Sequence, residues 1–321
     1  MELTVAIALF LQTSVQMGTP ILYGTLGGIL GERAGNLNLG VEGMMLIGAV
    51  FGFLIAAGTG VAWLAVLIAG LAGMAGALIY AVVTVTFRGN QIVTGLALTI
   101  FGTGIAGFLG KGLSAVSLPA SIGAAFPTIT IPILVDIPLI GPALFSQTLY
   151  VMAAPVLAIL MYLYFKKTNT GLNHRMVGEN PAAADASGIN VSRYKYLALA
   201  AGGFLCGQGG AYLALVFVPR WQENITAGLG WIAVALIIFC TWHPIKAILG
   251  AYFFGILRAL VFKIQGMTFT IFGVSFTVAT NLLDMLPYVM TVVVLVIVTL
   301  GNNRKHRPPG WLSEPFFRED R

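Results

Sequence analysis

Long apolar runs broken by short polar stretches dominate the chain. The runs lie at 5–30, 44–57, 62–87, 92–109, 149–165, 197–218, 229–242, 248–262 and 286–300, and several exceed the roughly 20 residues needed to cross a bilayer as a helix. About nine crossings are expected on this pattern. The second and seventh runs are short enough to be half-helices or tilted pieces. The expected fold is all-α, a polytopic transmembrane helical bundle forming one domain over residues 1–321. Two other segments read differently. Residues 112–146 are rich in Ser, Pro, Gly and β-branched residues, which suits an external loop lying on the bundle as a cap. Residues 265–283 carry Thr268, Thr270, Ser275, Thr277, Thr280 and Asn281, with Asp284 just beyond. A water-lined external or re-entrant position explains those groups.

Composition agrees with a membrane solvent. Apolar residues make up 58% of the chain and charged residues only 9%, against about a quarter charged in ordinary soluble domains. Forty glycines suit helices that approach closely in lipid. The net charge of +6 does not indicate nucleic acid, because the Lys and Arg residues fall between apolar runs and form no basic-aromatic stretch. They act as topology signals. Lys166, Lys167, Arg175, Arg193 and Lys195 cluster between two runs, and Arg304, Lys305 and Arg307 follow the last. The positive-inside rule therefore puts the 166–195 loop and the 301–321 tail in the cytoplasm and the N-terminus outside. Cys206 and Cys240 sit in apolar runs with no CxxC or Cys/His cluster, so neither a disulfide nor a metal site is expected. The N-terminus lacks a basic n-region and a small-residue cleavage site, which makes its first run a retained span.

The segment from Gly31 to Gly43 packs four glycines, two asparagines and three charges between two apolar runs. It reads either as a cytoplasmic turn or as a broken helix near a pathway, with Asn38 and Glu42 pointing inward and Glu32 paired with Arg33 or another partner. Within the long polar loop 166–195, residues 180–189 spell one short helix. Asn180 is the N-cap, Pro181 the first helical residue and Gly188 the stop. That helix is either a plain surface element or one that a motor subunit pushes, with Ala183, Ala184 and Ser187 as a small-residue face. Gly102-Thr-Gly104-Ile-Ala-Gly107 matches the GxGxxG pattern but lies inside an apolar run without a βαβ unit, so it reads as helix packing. No GxxxxGK[ST] sequence occurs, so the chain has no ATP-binding P-loop of its own, and no cofactor is expected. Ionisable residues in or beside spans are costly, which singles out Glu42, Arg258 and Asp284. Arg258 either snorkels to the outer interface or faces a cavity and pairs with Asp284. His243, at the end of a run, reads as a turn residue.

The stretch Gly31-Glu-Arg-Ala-Gly-Asn-Leu-Asn-Leu-Gly-Val-Glu-Gly-Met-Met-Leu-Ile-Gly-Ala49 resembles the signature of permease subunits of ABC importers for branched-chain amino acids, simple sugars and nucleosides. Asn90-Gln-Ile-Val-Thr-Gly95, Gly178-Glu-Asn-Pro-Ala-Ala-Ala-Asp-Ala-Ser-Gly-Ile189, Pro244, Gly250, Phe254-Gly255 and Leu286-Pro-Tyr288 follow in that family's order over nearly the whole chain. The Glu-Gly-Met-Met element is typical of the shorter permease of nucleoside importers that work with a substrate-binding lipoprotein. The resemblance implies a paralogous permease partner, two cytoplasmic ATP-binding subunits and an extracellular substrate-binding lipoprotein. It also implies that residues 180–189 form the coupling helix. The ATPase-coupling residues would then be Asn180, Pro181, Ala183, Ala184, Ser187, Gly188 and Ile189. In such a machine the permease performs no chemistry; nucleotide binding elsewhere shifts it between inward-open and outward-open states.

Pathway contacts are expected from Asn36, Asn38, Glu42, Asn90, Gln91 and Arg258, with a nucleoside favoured over a simple sugar such as ribose. An ion-coupled secondary transporter is the main alternative, but it needs a mid-span carboxylate, and Glu42 and Asp284 are near span ends. No filter repeat supports a channel, and neither HExxH nor a nucleophile constellation supports an enzyme.

Overall fold

The computed structural model describes residues 2–132, 134–137, 140–265, 268–271, 274–277, 285–300 and 308–318. The order is α1 (Glu2–Arg33), α2 (Val41–Thr59), α3 (Ala62–Ala81), α4 (Gln91–Gly110), α5 (Ala120–Ala124), β1 (Thr128–Thr130), α6 (Ile140–Phe145), β2 (Ser146–Thr148), α7 (Leu149–Lys167), α8 (Asn169–Glu179), α9 (Pro181–Ala186), α10 (Val191–Tyr212), α11 (Leu229–Phe239), α12 (Pro244–Ile264), β3 (Thr268–Ile271), β4 (Val274–Thr277) and α13 (Leu286–Leu300). Single wide turns, Val82–Thr86 and Leu213–Phe217, extend α3 and α10. Among the described residues, seven helices are long and apolar enough to span a membrane. All nine apolar runs are helical. The second is longer than its apolar run, a 19-residue helix, because Val41–Gly43 and Gly58–Thr59 join it. The seventh is an 11-residue half-helix.

Helix α2 is the buried centre, with every residue from Val41 to Val50 hidden. It is wrapped by α3, α4, α10 and α11. Glycine permits that density: a Cβ on Gly48 would strike the backbone of Gly207 on α10, and one on Gly102 of α4 would strike Gly43. Gly104 and Gly107 face open space. Of the GxGxxG glycines, then, Gly102 packs directly against another helix. On α1, Gly24 and Gly28 make room for Ala233 and Ile237 of α11.

The two ends of the bundle differ. The first end holds the segment 112–148, where β1 and β2 pair antiparallel with Thr128 opposite Thr148. Gln12 Nε2 donates to Ser146 O at 2.6 Å and fastens this segment to α1. Within the semi-polar stretch, β3 and β4 pair antiparallel with Thr268 opposite Thr277, so residues 268–271 and 274–277 are extended. Asp284 lies outside the described residues. The opposite end gathers the end of α1, the α7–α10 connection, the start of α12 and the tail 308–318. Arg33 Nε donates to Trp242 O at 3.1 Å, and Trp311 N to Gly178 O at 2.9 Å.

Candidate translocation site

The polar Gly-rich segment is a break in helical structure. Helix α1 ends at Arg33 and α2 starts at Val41, and the intervening backbone is buried, with Ala34 and Asn36 at 0% exposure. Buried non-helical backbone must have its hydrogen bonds met by protein. Side chains of α3 and α4 do so: Gln91 Oε1 accepts from Leu37 N at 2.7 Å, Tyr80 Oη donates to Leu37 O at 2.7 Å, and Thr99 Oγ1 donates to Leu39 O at 3.0 Å. Gln91 and Thr99 lie about two turns apart on α4, so one helix face serves peptides at both the middle and the end of the segment. Asn38 Oδ1 accepts from Gly40 N at 2.8 Å and shapes the re-entry into α2.

Glu42, in the first turn of α2, reaches a second break. After Phe217 the chain runs without regular structure to α11, with Asn224, Ala227 and Gly228 in left-handed conformations. Glu42 Oε1 accepts from Thr226 Oγ1 at 2.5 Å and Gly228 N at 2.9 Å, and Oε2 accepts from Gly230 N at 2.6 Å. A helix N-terminus has free N–H donors and a partial positive charge, so this carboxylate caps and anchors the half-helix. The half-helix is about 16 Å long at 1.5 Å per residue. At its other end Trp242 Nε1 donates to Glu32 Oε2 at 2.5 Å. Glu32, buried, is thus met by Trp242, and Arg33 by the carbonyl of the same residue. Two acidic residues of one segment hold both ends of α11.

Arg258 lines a cavity of about 350 Å³ with Met17, Ala227, Ile232, Val261, Gln265 and Tyr288. Tyr288 Oη donates to Ala227 O at 3.2 Å, so this cavity adjoins the second break. Of the expected pathway residues, Asn36, Asn38, Glu42 and Gln91 come together at the breaks and are buried, whereas Arg258 faces a cavity. Asn90 stands apart, exposed at the N-terminus of α4, where Oδ1 accepts from Val93 N at 3.0 Å. Tyr80, Thr99 and Thr226 were not singled out from the sequence, and Tyr288 only as part of a family motif; hydroxyls within apolar helices were the available signal for the first two.

The 180–189 segment folds as its caps dictate. Asn180 Oδ1 accepts from Ala183 N at 2.9 Å, Pro181 opens α9, and Gly188 has φ +79°. Ala184 is turned inward against Val177 and Val191, because the helix needs an apolar foot; Ala183, Ala186, Ser187 and Gly188 form the exposed face. The preceding residues 169–179 form a second helix, α8. Its buried His174 has Nε2 2.9 Å from Leu30 O, which makes Nε2 the protonated nitrogen, since a carbonyl only accepts. Burial lowers its pKa to about 4, and the Arg33 charge adds to that. At the start of α12, His243 lies half-buried beneath Tyr162, and its pKa is lowered by burial and then by Lys246 and Arg33.

Comparison with known proteins agrees with this architecture. Residues 10–295 match the family described as "Branched-chain amino acid transport system / permease component", and the chain belongs to that family. It is 41% identical over 266 residues to "Putative glucose ABC transporter permease protein TsgC13" of Haloferax volcanii, covering 80% of this chain and 78% of the relative. It is 36% identical to the nucleoside ABC transporter permease protein NupC of Lactococcus lactis, covering 87% and 88%. It is 32% identical to the guanosine ABC transporter permease protein NupQ of Bacillus subtilis, covering 92% and 93%. The chain is a multi-pass membrane permease subunit and not an enzyme. Its family implies ATP-binding subunits and a substrate-binding protein as partners.

Proposed function

We propose that this chain is one of two paired permeases of an ATP-driven importer and that its cargo is a nucleoside. The observation that carries the cargo assignment is the cavity beside the second break. It offers a phenol ring (Tyr288), a guanidinium (Arg258) and a carboxamide (Gln265) within about 350 Å³. Those groups suit a base that stacks and accepts hydrogen bonds, and the volume is at the small-ligand end of binding pockets. NupC and NupQ, a nucleoside and a guanosine permease by name, match most of the chain. TsgC13 supports a second reading, a simple sugar.

The paired breaks supply the moving part. Asn36 has neither amide atom hydrogen-bonded, and Gln91 Nε2 is also unpartnered, though both side chains are buried. Such groups favour a segment that changes partners between states. The exposed face of α9 takes the push of the ATP-binding subunit. Lys166, Lys167, Arg175, Arg193 and Arg318 lie at that same end, which supports a cytoplasmic assignment for it and an external N-terminus.

Uptake of labelled purine and pyrimidine nucleosides, with glucose and ribose as competitors, tests the reading in cells lacking the gene and cells complemented with it. Loss of nucleoside uptake, restored by the wild type but not by R258A or Y288A, is expected. Lost sugar uptake with nucleoside uptake intact would replace the cargo.

A further inference from the structure

The tail 308–318 is pinned across the α8–α9 corner at several independent points. Gly310 N donates to Glu179 Oε2 at 3.0 Å, Trp311 N to Gly178 O at 2.9 Å and Ser313 N to Gly35 O at 3.2 Å. Arg318 pairs with Asp185 of α9 at 3.1 Å. Phe316 packs on the cluster formed by Val177, Ala184 and Val191. The Arg88 guanidinium lies 4.6 Å from the centre of the Phe317 ring. Two glycines allow this layering: Gly35 has φ +85°, and a Cβ on Gly178 would collide with Arg33 O. The tail is therefore a layer of the fold, touching both α9 and the first break.

Its outer side carries aromatic as well as charged residues. Trp311 is 37% and Phe317 38% exposed, with the charged Glu314 and Arg318 exposed near them in the chain, and the tail meets α9 through Phe316 against Ala184 and Arg318 against Asp185. An aromatic centre with a charged rim is the composition of a protein docking patch, and rigid aromatic anchors carry most of the energy in such patches. We infer that the tail forms the second half of the surface on which the ATP-binding subunit docks, with Trp311 and Phe317 as its anchors. The inference rests on the reading of α9 as the coupling helix, with which this patch is continuous. Because Ser313 is bonded to Gly35, a subunit seated on both halves pulls directly on the 34–40 segment.

The test uses the permease pair in nanodiscs and measures binding of the added ATP-binding subunit. W311A/F317A should bind at least tenfold more weakly, A183W should also bind weakly, and I129A at the opposite end should bind as wild type. Thermal melting matched to the wild type establishes that each variant is folded; R318A, which loosens the tail without removing an anchor, gives an intermediate loss. If A183W abolishes docking while W311A/F317A stays within twofold, the tail is not part of the surface and the coupling-helix reading stands. If neither weakens binding, both readings fail. Quenching by brominated lipid, but not by the ATP-binding subunit, of the emission that W311F removes would reassign the patch to the membrane surface.

Discussion

Replacing Glu42 by Gln changes one oxygen to an NH2 group and nothing in shape. All three partners of the carboxylate donate: the Thr226 hydroxyl and the Gly228 and Gly230 amides. If the new NH2 faces Gly230, two donors oppose each other and the amide is orphaned. If it faces the other way, Thr226 can turn to accept, but Gly228 N–H loses its acceptor. Either orientation therefore forfeits one charge-assisted bond and leaves a buried N–H unmet. At about 1.5–3 kcal/mol for such a bond and about 1–3 for an unmet donor, overlapping in part, E42Q should cost about 2–4 kcal/mol. E42A frees all three donors and should cost more, while T226V removes one donor to the carboxylate without leaving an N–H unmet and should cost about 1.5 kcal/mol, the low end for a bond to a charged group. Thermal denaturation of the solubilised protein, with uptake measured at equal surface expression, reads the order E42A worse than E42Q worse than T226V. E42Q matching the wild type in both would refute the anchoring of α11 by this carboxylate.

Q91L should speed hydrogen exchange at the Leu37 amide and cut transport severalfold, because its acceptor disappears at a buried peptide. G102A should destabilise through collision with Gly43, whereas G104A, with nothing nearby, should be neutral or stabilising by up to about 1 kcal/mol through helix propensity; melting curves of the pair decide it. His174 gives a pH dependence. Its folded pKa of about 4 lies below the ordinary 6.5, so the unfolded chain binds the extra proton between those values. Stability is fully present above pH 6.5 and should fall by up to about 1.4 kcal/mol per pH unit as the pH drops towards 4. H174N should flatten that slope.

Much of the bundle was readable from residue order. Apolar runs locate every long helix among the described residues, and the Asn180, Pro181 and Gly188 signals define α9, because caps act locally. The 31–43 segment declares a break through its glycines and amides. What holds the break is not local: Tyr80, Gln91 and Thr99 come from elsewhere in the chain, and a lone Tyr or Thr in an apolar run looks like any core residue. The role of Trp242 against Glu32 is hidden for the same reason, since 210 residues separate them. Glu42 stood out by its charge, but only the fold reveals that both oxygens are taken by α11. The attachment of the tail is not legible in the sequence because its bonds are mostly from backbone amides, which carry no residue signature.

The break at 34–40 also bears on how the protein is made. Its peptides find their acceptors and donors on α3 and α4, which leave the ribosome later than α1 and α2, and Glu42 waits still longer for α11. The first two helices therefore enter the membrane with buried-to-be polar groups still needing water or a chaperoning surface. The first hairpin is a provisional insert, completed from its C-terminal neighbours backwards. The polarity of segment 31–43 is thus a demand on membrane insertion as well as on the finished fold.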